Sequence, residues 1–187
     1  KKWDEFLKIV PSLKILNDSG QITRAAAAIG GSEKNVDAGV DLVALLMLQN
    51  GARMTTNDFR SATFASADDN NKNPGLSAFN FYLQFANAAS PYYSWNESKP
   101  NSIDDFANGK VGVIFNYKSA VAKIKNKSPF LDFAAAPVPQ PTGAEIDINY
   151  PRYGGLAVSK QSKSIGWAWD FIVFADADIK KAAQVAV

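Results

Sequence analysis

Two kinds of hydrophobic spacing alternate along this chain, and the alternation restricts the folds open to it. Apolar residues recur at helical spacing in residues 3–16, 35–49, 74–88 and 164–175. Between these stretches lie short apolar runs that predict buried strands, at residues 21–29, 111–115 and 132–138. Shorter helices are predicted at residues 102–108, 117–127 and 178–187. Helices that alternate with short buried strands predict an α/β fold with a sheet flanked by helices.

The residue types that are missing exclude several kinds of chemistry. The chain of 187 residues has no Cys and no His. A Ser-His-Asp triad, a Cys-His pair, a disulfide and a structural zinc site each need one of these residues. Carboxylate chemistry, Lys Schiff bases and oxygen-ligated metals remain open, but we predict no cofactor and no metal site.

The charge balance and the apolar runs bear on the partners of the chain. Lys and Arg total 20 against 18 Asp and Glu, so the net charge of +2 argues against a nucleic-acid partner. The longest apolar run, residues 42–48, is too short to span a bilayer. The first residues carry no signal peptide. The protein is therefore either cytosolic or begins downstream of its targeting segment.

Polar residues follow two of the predicted strands. Gly31, Ser32, Glu33 and Asn35 come after the first of these strands, and Asn116-Tyr117 comes after the second. In open α/β sheets, ligands bind outside the carboxyl ends of the strands. The alternatives are an ordinary strand-to-helix turn for the first group and a helix N-cap for Asn116.

Two segments combine aromatic and polar residues. Tyr93 and Trp95 lie in the polar loop 91–100, and Tyr150, Arg152 and Tyr153 precede a Gly-Gly pair. Tyr and Trp offer an apolar ring face and a polar edge, which suit the C–H faces and hydroxyls of a sugar. The alternative is that the loop aromatics pack inward and anchor the loop, and that the second segment is an ordinary turn.

Several short motifs, taken in order, resemble the extracellular solute-binding proteins of ABC importers, the group that includes maltose-binding proteins. They cover nearly the whole chain and read KWDEF at residues 2–6, YSWN at 93–96, FANGKVGV at 106–113, APVP at 136–139, GGLAVSK at 154–160 and AWDFI at 168–172.

The resemblance implies a periplasmic-binding-protein-like fold of type II, in which a ligand cleft separates two α/β lobes. By analogy, the chain is an incomplete two-lobe fold. Residues 1–153 form the second lobe, and residues 154–187 cross back toward a first lobe that the chain lacks. Ligand contacts are expected from Gly31, Ser32, Glu33, Asn35, Tyr93, Trp95, Asn116, Tyr117, Tyr150, Arg152 and Tyr153.

The resemblance also implies a function without catalysis. A solute, a sugar first among the candidates, would bind in the cleft, and the lobes would close about a hinge near residues 150–155. The expected partners are the solute and the membrane-spanning subunits of an ABC permease. The expected protein is monomeric and extracytoplasmic, with a lipoprotein anchor upstream of this chain. Weak or undetectable binding is expected of this chain alone, since it offers half of the contacts and no closure.

Two alternatives from other classes stay open at this stage. One is a carbohydrate-active enzyme that uses two carboxylates, with Glu97 and Asp105 as the candidates. The neighbouring pairs Asp68-Asp69 and Asp104-Asp105 are predicted to be solvated or capping charges. The other alternative is a surface domain that binds a protein through the aromatic loop.

Overall fold

A computed structural model describes residues 1–68, 70–152 and 154–185, with side chains as far as residue 176. It divides the chain into two compact units, Lys1–Tyr150 and Pro151–Val187. The elements of the first unit are α1 (Trp3–Leu13), β1 (Ile15–Leu16), β2 (Ile22–Ala28), α2 (Gly39–Gln49), α3 (Pro74–Leu83), α4 (Ser102–Ala107), β3 (Val111–Ile114) and α5 (Ala120–Lys127). The second unit contains α6 (Ile165–Val185).

The sheet of the first unit has the strand order β1-β2-β3 and is mixed. β1 runs antiparallel to β2, while β2 and β3 are parallel, with Ala25 opposite Val111 and Ala28 opposite Ile114. Helices flank this sheet, so the predicted α/β class with a sheet flanked by helices is confirmed. The division into a second lobe and a crossing segment stays a prediction.

The core forms where α1 packs on β2. Trp3, Phe6 and Val10, spaced at three and four residues along α1, are all buried. They share one apolar cluster with Phe85 and with residues of β2 and α2. Burial of this helical stripe explains why α1 forms, even with Pro11 inside it. The residues at Ala25 to Ala28 are small and almost completely buried, so large side chains from other elements can approach the strand closely.

The prediction of a strand at residues 132–138 is wrong. Residues 132–138 form no ladder, and Pro137 within the run has no N–H group to donate to one. Just beyond the run, Gln140 forms an isolated parallel bridge with Lys2, and a side chain adds further hydrogen bonds. The Gln49 Nε2 atom donates to the carbonyls of Pro139 and Ile148, at 3.1 Å each.

Several helix ends also differ from the sequence prediction. α2 begins at Gly39 rather than Asn35, because Ala38 adopts a left-handed conformation with φ 60°. α4 ends at Ala107 and is capped by Asn101, whose Oδ1 accepts from the Ile103 amide. α5 begins at Ala120, so Asn116 is not its N-cap. The two helices predicted after residue 164 are one, α6.

The second unit is described by itself. Its residues before α6 that the structure describes form neither a helix nor a strand. The first turns of α6 expose large apolar side chains, among them Trp167, Trp169, Phe171 and Phe174. No helix of the described residues is both long enough and apolar enough to cross a membrane.

Candidate functional site

Two loops meet at the carboxyl edge of the parallel strands. Because β2 and β3 are parallel and in register, the chain leaves both strands at the same edge of the sheet. Residues 29–38 follow β2 and residues 115–119 follow β3. The polar residues that the sequence places at these two strand ends are therefore brought to one side of the first unit.

A side-chain hydrogen bond joins the two loops. Asn116 Nδ2 donates to Asp37 Oδ2 at 2.8 Å, across 79 positions of the chain. The Oδ1 atom of Asn116 accepts from the Tyr117 amide at 2.8 Å, and the Asp37 amide donates to Ser102 Oγ at 3.0 Å. Both side chains of the bridge are only half-buried. They are thus held in place and remain accessible from solvent.

Two tyrosines extend this bridge. The Tyr117 hydroxyl donates to the Tyr150 carbonyl at 3.4 Å. Tyr117 is half-buried and Tyr150 is exposed. We call Asp37, Asn116, Tyr117 and Tyr150 the strand-end cluster. It combines a carboxylate, an amide and the amphipathic Tyr117 side chain at the edge where α/β folds bind their ligands, with Tyr150 joined through its main-chain carbonyl.

Asp37 is the member of the cluster that sequence reasoning missed. It lies only two residues beyond Asn35, within a predicted helix, where an acidic residue is most simply read as a solvated charge. A local signal was present, since Asp37 is a carboxylate in the polar segment that follows a buried strand. Its partner, however, is far away in the sequence.

Of the remaining predicted residues after β2, Ser32 and Asn35 have structural partners, whereas Glu33 is exposed. Ser32 donates its amide and hydroxyl to the Glu97 carboxylate, at 2.5 and 2.9 Å. The buried Asn35 donates through Nδ2 to the carbonyls of Asn96 and Lys99. Both side chains tie the loop after β2 to the aromatic loop 91–100. Gly31 is required here for space, because a Cβ atom at this position would clash with the buried Asn35 Oδ1.

The aromatic loop packs inward at its centre. Trp95 is 0% exposed and lies in an apolar cluster with Ala25, Ala28 and Val111. Its ring offers no face to a solute or to a partner protein, so the expectation that Trp95 is a binding platform is corrected to a core position. The small side chains of β2 leave the space that its indole fills.

Other contacts of the loop support this anchoring role. The Ser94 hydroxyl donates to the Ala27 carbonyl at 3.0 Å and accepts from the Ala27 amide at 2.9 Å. Tyr93 is half-buried, and its hydroxyl accepts from Asn96 Nδ2 at 2.6 Å. The interpretation that the aromatics anchor the loop therefore holds for its buried part.

The last predicted residues lie in the second unit. Arg152 is exposed there, and Tyr153 lies outside the described residues. Of the candidates for carboxylate catalysis, Glu97 uses its oxygens to hold Ser32, and Asp105 is buried in α4. Among the described residues, no group of three or more Asp, Glu, His or Cys residues could hold a metal ion.

A cavity of about 400 Å³ lies beside the loop that follows β2. Its lining comes from that loop, from Glu97 and from the facing sides of α2 and α3. Tyr82 of α3 closes part of the wall, and its hydroxyl donates to the Gly31 carbonyl at 2.6 Å. Burial raises the pKa of Tyr82 to about 12, and the Glu97 carboxylate acts in the same direction.

An α/β unit that gathers polar and aromatic side chains at one sheet edge has the architecture of a ligand-binding protein. The family model of the bacterial extracellular solute-binding proteins matches residues 1–180, and the chain belongs to that family. The family resemblance predicted from the order of the motifs is thereby confirmed. The family is one of extracellular binding proteins.

Comparison with solved structures gives one similar protein. It is an ABC transporter solute-binding protein from Thermotoga lettingae TMO, in a crystal structure with bound alpha-D-tagatose. The TM-score is 0.49 at 19% sequence identity, and the match covers 69% of this chain and 30% of that chain. This chain thus corresponds to less than a third of that protein's length. No curated protein matches the chain.

Proposed function

We propose that this chain recognises an extracellular solute for import through an ABC permease, and that the strand-end cluster makes the contacts. The observation that carries the proposal is the bridge from Asn116 to Asp37, which fixes a carboxylate between the ends of the two parallel strands. The remaining oxygen lone pairs of that carboxylate can accept hydroxyl groups, and such charge-assisted hydrogen bonds are strong. Tyr117 follows Asn116 directly, and its amide donates to Asn116 Oδ1.

A sugar is the solute class that we propose. Its hydroxyls suit the carboxylate and the amide, while its C–H faces suit the rings of Tyr117 and Tyr150. Arg152, Tyr153 and Tyr93 stay proposed contacts of lower rank, whereas Trp95 is omitted because it is buried. Lobe closure about residues 150–155 is also a proposal, and the boundary between the two compact units falls within that range. A monomeric state, a lipoprotein anchor and delivery to the permease are proposed on the family alone.

The test is a titration of the ¹⁵N-labelled chain with neutral hexoses and disaccharides, D-tagatose and maltose included, observed by NMR. We expect saturable binding in the millimolar range, about −4 kcal/mol, with the amide shifts confined to residues 29–38 and 115–119 and to the segment next to Tyr150. Asp37→Asn should weaken binding about tenfold, because it removes a charged acceptor. Asp18→Asn, a matched change in an exposed turn, should leave the affinity unchanged.

Two outcomes would overturn the proposal. One is the absence of shifts with every sugar of the panel, since NMR detects millimolar binding. The other is saturable binding whose shifts lie away from both strand-end loops or whose affinity is the same in Asp37→Asn.

A further inference from the structure

The cavity between α2 and α3 has an apolar wall that the strand-end cluster does not share. Val40 and Val43 line it from α2, and Phe79 and Leu83 line it from α3. Val40 is 61% exposed and Phe79 is 40% exposed. Exposed apolar side chains on facing helices, around a cavity of ligand size, favour the binding of an apolar group.

One end of the cavity is acidic. Glu33 and Glu97 both line it, and no Lys or Arg is among the lining residues. Glu97 is held by its hydrogen bonds from Ser32, so its carboxylate is fixed at the cavity. The Glu97 carboxylate also contributes to the raised pKa of Tyr82, whose side chain forms part of the wall. An anion would be repelled from this end, whereas a cation would find two carboxylates.

We propose that this cavity binds a small organic cation, an ammonium group on an apolar body. The apolar body would lie between α2 and α3, in the range of volumes, roughly 300–1,000 Å³, that small-molecule sites occupy. The ammonium group would lie at Glu33 and Glu97, and the Phe79 ring can add a cation–π contact. None of the four residues of the strand-end cluster lines this cavity. The site therefore shares the loop after β2 with the one proposed for the sugar, but it uses other side chains.

The test compares three probes of one shape: n-hexylammonium, 1-hexanol and hexanoate, each titrated into the ¹⁵N-labelled chain at pH 7 and low salt. Hexylammonium should bind saturably and shift the amides of residues 39–43 and 79–83. Hexanol should bind about threefold more weakly, since it lacks the ion pair, and hexanoate should not bind. Added salt should weaken hexylammonium and leave hexanol unchanged.

Two variants separate the charge from the cavity. Glu33→Gln should weaken hexylammonium about threefold and leave hexanol unchanged, because Glu33 is exposed and supplies only charge. Glu145→Gln, the same change at an exposed position that does not line the cavity, is the matched control. Val43→Trp should fill the cavity and abolish binding of both probes.

The proposal is overturned by equal affinities for hexylammonium and hexanol, by an unchanged affinity for hexylammonium in Glu33→Gln, or by amide shifts confined to the strand-end loops. Sugar binding is measured separately and is independent of every one of these outcomes.

Discussion

Trp95 shows how much a single side chain depends on residues far from it. Its neighbours in the sequence are polar, so its loop resembles a binding surface. Its neighbours in space are alanines and Val111 of the sheet, so the indole is a core side chain. Its Nε1–H group is buried without a hydrogen-bond partner, which makes the position costlier than that of a fully satisfied tryptophan.

Replacement of Trp95 should therefore act on stability. Trp95→Ala should lower the free energy of unfolding by about 3–5 kcal/mol, through lost burial and a cavity. Trp95→Phe should cost only about 1 kcal/mol, because it keeps a ring and removes the unpaired N–H. Urea denaturation measures both values. Trp167→Ala, at an 80% exposed position, serves as the control and should change stability by less than about 0.5 kcal/mol. A Trp95→Ala protein as stable as this control would contradict the core assignment.

Tyr82 gives the chain a stability that depends on pH. Its pKa is about 12 in the folded protein and near 10.0 in the unfolded chain, so folding holds the phenolic proton more tightly. The contribution of the protonated Tyr82 phenol to the free energy of unfolding is complete below about pH 9. It is lost as the pH rises from 10 toward 12. At pH 11 the loss should be about 1 kcal/mol.

The experiment compares unfolding of the wild-type chain and Tyr82→Phe at pH 8 and at pH 11. The variant lacks the ionisation but retains every lysine, so the effect of lysine deprotonation cancels in the difference. The stability gap between wild type and variant should narrow by about 1 kcal/mol at the higher pH. An equal gap at both pH values would show that Tyr82 ionises alike in both states.

At the scale of the element, Ala38 decides where α2 begins. The periodicity predicts a helix from Asn35, but Ala38 interrupts it with a positive φ that alanine adopts only at a cost. Ala38→Gly should remove that strain and raise the free energy of unfolding by about 0.5–1 kcal/mol. Ala44→Gly, the same substitution within α2, should lower it by about 1 kcal/mol. Thermal or urea unfolding measures both, and a loss of stability in both variants would contradict a strained Ala38.

The elements also show what a sequence reveals and what it conceals. The helical stripe of α1 and the apolar run of β2 were predictable, because each is a local pattern with one period. The run at residues 132–138 is equally apolar, yet it forms no ladder, and Pro137 within it has no N–H group to donate to one. At the sheet edge, the segments of the site were predictable from strand ends. The pairing of Asp37 with Asn116 was not, because no local pattern encodes a contact across 79 positions.

At the scale of the whole molecule, the family came from the order of weak motifs. Each motif is short, but their succession spans both compact units, and the family model matches residues 1–180. Ligand class does not follow from such an order, since it depends on the few side chains that face the solute. For this reason the titrations with sugars and with hexylammonium are needed to test which classes of ligand the chain binds.

The parallel pairing of β2 with β3 has a consequence for the time course of folding. The pairing of Ala25 with Val111 joins residues far apart in the chain, because α2, α3 and α4 all lie between the two strands. Contacts between residues so far apart in the chain form late in folding, because forming them costs the conformational entropy of a long loop. During synthesis, β2 is therefore made before β3, and the edge of β2 that pairs with β3 has no strand partner until β3 follows. The strand-end cluster forms only when β2 and β3 pair, so the solute site proposed there requires the completed sheet.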